Sequence, residues 1–430
     1  MAIKTLHLTN AYHPTSGGIR TFYRALLAQA NEERRHMRLV VPGDLTRVED
    51  VGAYGRIYSI AASPAPAFDR RYRMVMPNQY LRSSTRLRDI LQAEQPDLVE
   101  ICDKYSLFYL AAMLRKQMIS GVKRPVLVGL SCERMDDNVA AYLGSGAIRR
   151  RLTRAYIRHL YGPPFDAHIA NSEYTAEELR RSLWDRSDDF IHVTPMGVDA
   201  SAFGPVHRDR ELRRYLLSQA GGDNDSVLLV YAGRLSPEKH PHLLIDALAC
   251  LVNRRHRLGG ALDFRLVLAG DGPALPGILA DAARRTPNRV HAMGVVRDRG
   301  ALARLYASCD VFVHPNPREP FGIGPLEAMA SRVPVVAPSA GGVLSYATPE
   351  NAWLAAPDGE SFAHAINAAT QSRDAARLAA AMRTARSFDW PLVASRYFKL
   401  CDSLHRQHAA EFARPITLSH RTVTTLGQSA

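Results

Sequence analysis

DVFVHPNPREPFGIGPLEAMASRVPVVAP, residues 310–338, holds a strand, a loop, a helix start and a second strand in direct succession. Val311–His314 is an apolar, β-branched run that feeds a loop rich in Pro. A helix is expected to start near Pro325, because proline suits the first helical turn, where its missing N–H has no partner to lose. Phe321, Gly322, Ile323 and Gly324 then form the helix mouth, with backbone N–H groups that lack intrahelical partners. Such a mouth is a site for a diphosphate or for sugar hydroxyls, and the positive end of the helix dipole strengthens it. Gly322 and Gly324 let a ligand come close to the backbone. On this reading Glu327 falls in the first helical turn, where an ionised carboxylate is favoured and can accept two hydroxyl hydrogen bonds, as from a ribose. Glu319 stands before the loop, about where a sugar carried by that diphosphate would lie.

The same grammar extends in both directions. Strands are expected at 3–9, 38–42, 97–101, 126–130 and 167–170, and again at 227–232, 264–269, 290–293, 311–314, 333–337 and 352–355, with helical patterns between them. Alternation of this kind implies α/β architecture with parallel sheets covered on both faces, and runs such as VLLVYAG and FRLVLAG are continuously apolar, as doubly buried strands should be. A chain of 430 residues is too long for one core and suits two such domains. Residues 1–205 form the first, a charged and Gly-rich stretch at 206–226 reads as the linker, and 227–390 form the second. A helix over 391–415 is expected to return to the first domain, and 416–430 read as a loose tail. Ligands of open parallel sheets bind beyond the carboxyl ends of the strands, so two facing domains would share one cleft.

Composition narrows the class. The five cysteines are scattered without CxxC or metal-like spacing, which reads as reduced thiols in a cytoplasmic protein. The first residues, MAIKTLHLTNAYHP, read as strand and turn rather than a secretory signal, and no run approaches the roughly 18 apolar residues of a membrane span. Lys and Arg exceed Asp and Glu by a formal +13. That charge suits phosphorylated small molecules, an anionic bilayer or nucleic acid, or is a solvated Arg surface. No nucleic-acid module is visible in the sequence.

Glu319 and Glu327, with seven residues between them in EPFGIGPLEAMA, resemble the E-x7-E element of retaining glycosyltransferases of the GT-B fold, and most closely those of family 4 (glycosyltransferase group 1). YAGRLSPEKHPHLLIDAL at 231–248 resembles that family's GRL-x-x-EKG segment, except that His240 and Pro241 stand where a glycine is usual. The stretches FRLVLAGDGP, VHAMGVV, VTPMGVDASAFGP and ANSEYTAEEL resemble further elements of the family, so the likeness spans most of the chain. It implies a GT-B fold, two Rossmann-like domains facing across a cleft, and transfer of a hexose from a nucleoside diphosphate sugar such as UDP-glucose or GDP-mannose. By the same resemblance Arg234 and Lys239 hold the donor diphosphate, Glu327 the ribose, Glu319 and Phe321 the sugar, and the main chain of Gly294 and Val295 the base. Two cations at the diphosphate would offset charge on the departing group. No protein-held metal or other cofactor is expected, and the acceptor implied is a lipid, a glycan or a small molecule, with a place in the cytoplasm or on the inner face of the plasma membrane.

In the first domain Gly17 and Gly18, within YHPTSGGIRTFY, resemble the family's glycine-rich loop and would bring backbone to the donor phosphate. No GxGxxG dinucleotide fingerprint is present, which argues against a nicotinamide-dependent dehydrogenase. The departure lies after VLVGL: where many family members have a histidine at the donor sugar, this chain reads Ser131-Cys-Glu-Arg. Either Ser131 takes over that contact, or Glu133 or His13 supplies it, or the acceptor geometry differs. A non-catalytic nucleotide-sugar-binding protein of the same fold is the alternative that this departure favours. Asp223-Asn-Asp225 is formally a DxD metal motif, but its Gly-rich setting reads as a polar turn. RRRLTRAYIRHLYG from Arg149 is a basic amphipathic helix whose Leu152, Ala155, Tyr156, His159 and Leu160 share a face; it either lies on an anionic membrane or packs that face on the sheet.

Overall fold

The computed structural model describes residues 3–13, 17–65, 73–144, 146–258, 262–372 and 374–412. In the first half, β1 (Thr5–Thr9), β2 (Met37–Gly43), β3 (Arg47–Val51), β4 (Gly55–Ala61), β5 (Leu98–Cys102), β6 (Val126–Ser131), β7 (Ala167–Ala170) and β8 (Ile191–Val193) make one sheet. Its order is β8-β7-β6-β5-β1-β2-β4-β3, with every neighbouring pair parallel except β3 with β4. In the second half, β9 (Val227–Ala232), β10 (Phe264–Ala269), β11 (Val290–Gly294), β12 (Val311–Val313), β13 (Val335–Pro338) and β14 (Trp353–Ala355) make a parallel sheet in the order β11-β10-β9-β12-β13-β14. Two Rossmann-like domains of the GT-B type result.

The central strands are buried along all or nearly all of their length, as their unbroken apolar runs require. Within these two sheets, the strands that the sequence pattern did not deliver are β3, β4 and β8. RVEDV in β3 is a charged edge strand, largely exposed, and its partner β4 supplies the pairing that its own composition does not. β8 is only three residues long, too short for a periodic signal.

The linker assigned to 206–226 belongs instead to the second domain. Its helix Arg210–Gln219 buries Leu216 and Leu217 and packs on the helix Arg299–Ser308, while Arg213 reaches Asp310 at 2.7 Å. The chain crosses between domains just before this, where Val198 pairs with Asp389 of the returning segment: Val198 N donates to the Phe388 carbonyl at 2.9 Å, and Trp390 N to the Val198 carbonyl at 3.0 Å. The final helix, Trp390–Phe412, then lies against the helix Gly18–Glu32 and β6 of the first domain. Tyr397 donates to the buried Glu100, which also accepts from Tyr23 at 2.6 Å and meets His7 Nδ1 at 3.0 Å. Arg35 pairs with Asp402 and covers the Phe398 ring at 5.0 Å. The tail at 416–430 lies outside the described residues.

Candidate active site

Both sheets direct the ends of their central strands into one cleft of about 1750 Å³. In the second sheet the order reverses between β9 and β12, so the loops that follow these neighbours diverge and leave a crevice. In the first sheet the same happens between β1 and β5. Those topological facts explain why the chemistry of the chain sits in the loops at 233–241 and 314–324.

The loop after β12 carries Glu319, whose carboxylate accepts hydrogen bonds from Lys239 Nζ at 2.9 Å on each oxygen and from Asn316 Nδ2 at 2.9 Å. His314 Nε2 lies 3.8 Å away. Burial would raise this carboxyl, but the Lys239 ammonium and then His314 outweigh it and hold Glu319 down at about 2. Burial pushes His314 itself down to about 4, so the ring is neutral at neutral pH. Sequence reasoning put Lys239 on a diphosphate and Glu319 on a sugar; the structure joins them in one ion pair. Arg234 lines the same wall and donates to Glu238 at 2.7 Å. His240, where the family glycine was missed, adopts the left-handed backbone with φ 49°, so the histidine keeps the turn.

Glycine is required where these loops touch. Gly322 has φ +83°, which favours glycine, and its carbonyl accepts from the Tyr346 hydroxyl. A Cβ on Gly342 would stand 1.9 Å from the Pro320 carbonyl oxygen, and Gly342 N donates to the Glu319 carbonyl at 2.6 Å. The segment from 339 thus clamps the backbone on either side of Glu319. The Phe321 ring, expected at the sugar, is instead buried against Tyr346 and Phe388.

The helix mouth forms as expected, over Ile323–Ala330, with Gly322 as its cap residue. Gly17 and Gly18 open the helix Gly18–Glu32 on the opposite side, and Ile323 Cδ1 lies 3.9 Å from where a Gly18 Cβ would stand. Two helix N-termini therefore converge on the same volume, both with N–H groups that lack partners within their own helix and with positive dipole ends. Ser172 donates to the Pro320 carbonyl at 2.5 Å and Arg318 lies 3.8 Å from Asp137, so the domains touch beside this point.

Glu327 lines the cleft but, because the helix starts at Ile323 rather than at Pro325, it sits two positions further along than the sequence reading placed it, past the first turn. It is buried, accepts from the Tyr306 hydroxyl at 3.3 Å and lies 3.8 Å from Arg299 Nη1. Burial raises its carboxyl to about 7 against the pull of Arg299. Arg299 is a residue that sequence reasoning missed. It also approaches Asp199 at 3.7 Å, stacks over Phe203, and its Nη2 has no hydrogen-bond partner among the described residues. It follows β11 within RDRG, and nothing local marked it out, because its partners come from distant segments.

Val295 lines the cleft and is half exposed; Gly294 does not line it, and with φ +75° it instead turns the chain that presents Val295, Val296 and Arg297. Ser131 is also corrected. It is fully buried, its hydroxyl donates to the Glu133 carbonyl at 3.2 Å, and it does not reach the cleft. The wall there is made by Cys132, Glu133, Asp137 and Asn138. Asn138 Nδ2 donates to Glu133 at 3.0 Å and to the Tyr105 hydroxyl at 3.1 Å. Beneath it the buried pair Lys104–Glu178, at 2.6 Å, fixes the loop, since Lys104 Nζ also donates to the Glu133 carbonyl and Glu178 accepts from Asp136 N at 2.8 Å. Asp223 and Asp225 form the expected polar turn, with Asp223 accepting from Asp225 N and from Ser226.

Comparison with known proteins bears on the family and the fold. Residues 16–202 match the family model for glycosyltransferase family 4, and residues 226–372 match that for glycosyl transferases group 1. The chain is 29% identical over 394 residues, 91% of its length and 94% of the relative's, to the GDP-mannose-dependent alpha-(1-6)-phosphatidylinositol dimannoside mannosyltransferase of Mycobacterium tuberculosis. It is 33% identical to a GDP-mannose-dependent alpha-mannosyltransferase of Mycolicibacterium smegmatis, over 62% of this chain and 63% of that one. The crystal structure of Anabaena HepE in complex with UDP and glucose superposes with a TM-score of 0.66 at 20% identity, covering 93% of this chain and 100% of HepE. With both domain models matched in register on a GT-B fold, the chain belongs to the group 1 glycosyltransferases of family 4.

Proposed function

We propose that this glycosyltransferase moves a mannosyl residue from GDP-mannose, with retained anomeric configuration, to a hydroxyl of an inositol-containing lipid acceptor. The observation that carries the reading is the convergence of two helix N-termini, Arg234 and the Lys239–Glu319 pair on one volume between the domains. The near full-length likeness to a GDP-mannose-dependent enzyme supports mannose over glucose and a lipid over a soluble acceptor.

In this mechanism the diphosphate lies between the mouths of the helices at Gly18 and Ile323, with Arg234 and Lys239 beside it. Glu319 and the main chain of Phe321 and Gly322 hold the sugar, and Glu327 accepts from the ribose hydroxyls. The bond from C1 to the diphosphate oxygen breaks, and the acceptor oxygen bonds to C1 on the same face. The departing phosphate oxygen takes the acceptor proton, so no side chain need act as base. The cations and helix mouths stabilise the charge that grows on the leaving group. Contact of the domains excludes water and limits donor hydrolysis.

The test is nucleoside diphosphate release from a panel of sugar nucleotides, with the product's anomeric coupling read by nuclear magnetic resonance. Faster GDP release from GDP-mannose than UDP release from UDP-glucose, and an α product, are expected. An inverted product, or no turnover with any donor and lipid acceptor, would overturn the reading.

A further inference from the structure

The helix Ala147–Tyr156 and the wider turn that continues it over Ile157–Tyr161 do not bury the face that the sequence offered for burial. Thr153, Ile157 and Tyr161 face the protein instead. Ile148 is 77% exposed, Leu152 64% and Leu160 50%, and Ala155 and His159 are exposed as well. Ile148, Leu152, Ala155 and His159 are spaced i, i+4, i+7, i+11, so they form one outward stripe. Arg149, Arg151 and Arg154 flank that stripe, and the segment Ala147–Tyr161 contains no acidic residue. Arg150, Arg151 and Arg154 make no ion pair among the described residues. A helix that packed its apolar stripe inward would show the reverse arrangement.

The surroundings extend the surface. Trp184 is 71% exposed, and the Arg158 guanidinium covers its ring at 4.5 Å. Tyr109, also exposed, stacks on Phe108 at 3.9 Å, whose ring meets Tyr156 at 5.7 Å. The helix Met135–Leu143, whose Asp137 and Asn138 line the cleft, precedes this one in the chain and packs on it. The surface is therefore the outer shoulder of the cleft wall opposite the diphosphate loops.

We infer that this face, centred on Ile148, Leu152 and the arginines 149–154, seats the protein on the headgroup region of an anionic bilayer. Exposed apolar residues within a cationic frame match a surface that is apolar below and negatively charged above. A soluble anionic partner would use the arginines but leave Ile148 and Leu152 uncovered. The inference deepens the reading of a lipid acceptor, on which it rests for its purpose, because a headgroup held at this shoulder lies beside Asp137 and Asn138.

Flotation of the full chain with vesicles of phosphatidylcholine, with and without phosphatidylglycerol, tests it. Binding should require the anionic lipid and weaken as salt rises, since surface charges are screened over about 8–10 Å. Replacing Arg150, Arg151 and Arg154 with Gln should cut binding on the order of a hundredfold. Ile148→Ser with Leu152→Ser should cut it about tenfold. Neither set touches the cleft residues, so GDP release from GDP-mannose in the absence of vesicles should be unchanged. No flotation at low salt, or flotation indifferent to both sets, would overturn the inference. So would light scattering that shows a dimer dissolved by the serine variants, which would give the face to a second copy of the chain. Vesicle binding without turnover of any donor would sink the transferase reading and uphold this one.

Discussion

Glu327 and Glu319 are both buried carboxylates, and their neighbours drive them in opposite directions. Glu327 is raised to about 7, mainly by burial, with Arg299, Tyr306 and Asp199 as the polar groups that face it. Only its ionised form offers every oxygen lone pair to a ribose diol. Affinity for GDP-mannose, whose diphosphate does not titrate in this range, should therefore rise as pH passes upward through 7, with a proton released on binding. Arg299→Met removes a cation that favours the carboxylate and should move that midpoint upward, while Glu327→Gln should abolish the dependence and cost about 1–3 kcal/mol of binding. Calorimetry across pH 6–8 checks all three. Because the folded carboxyl lies above its ordinary 4.5, this group's contribution to stability falls as pH rises from 4.5 to about 7. Glu319 has the opposite sign: held at about 2, it stabilises fully above 4.5 and loses that contribution as pH falls toward 2. Lys239→Ala should then lower both turnover and stability, the latter by about 3 kcal/mol, since an unpaired carboxylate stays buried. Arg234→Ala should lower turnover about 100-fold or more with little change in urea midpoint, because Ser236 still donates to Glu238. Equal stability loss in the two variants would disprove the pairing as the cause.

Two glycines of the strand-end loops separate backbone shape from ligand contact. A Cβ on Gly17 meets nothing within 4 Å, and this residue opens its helix with ordinary helical backbone, φ −69°. Gly17→Ala should leave thermal stability unchanged while raising the KM for the donor, if phosphate approaches the main chain there. Gly342→Ala forces a methyl against the Pro320 carbonyl and should cost about 2 kcal/mol or more together with most turnover, because the backbone around Glu319 must shift. Parallel melting and KM measurements decide both. At this scale the sequence was most legible. Strands Ala167–Ala170, Val227–Ala232 and Phe264–Ala269 begin and end where their apolar runs do. The helix after Phe321 was marked by its own glycines and proline. β3 was not legible, since a charged edge strand is made by its partner and not by its pattern.

The whole molecule is closed by its last helix. Tyr397 donates to Glu100, a fully buried carboxylate that Tyr23 and His7 also contact. Tyr397→Phe removes one donor from a buried carboxyl that water cannot reach, and should cost about 1–3 kcal/mol in chemical denaturation. An unchanged midpoint would mean that Tyr23 and His7 satisfy the carboxyl without Tyr397. The same helix follows the crossover where Val198 and Asp389 pair, so the two connections between the domains are bridged to each other side by side. The charged segment at 206–226 looked like that linker only because its buried Leu216 and Leu217 are outnumbered by arginines.

By itself the sequence determined the alternation of strand and helix, the pair of sheets, and the loops whose glycines, prolines and charges suit a diphosphate. These are local properties: an apolar run long enough to be buried twice, or a helix start free of partners, needs no knowledge of what lies across the cleft. Only the tertiary structure decided that Lys239 meets Glu319, that Arg299 faces Glu327, that Ser131 is sealed beneath Glu133, and that the arginine helix turns its leucines outward. Each of these depends on segments far apart in the chain arriving within a few ångströms of each other. Residue spacing carries no record of that distance, and burial, which sets both the charge states and the exposed face, exists only once the domains have packed.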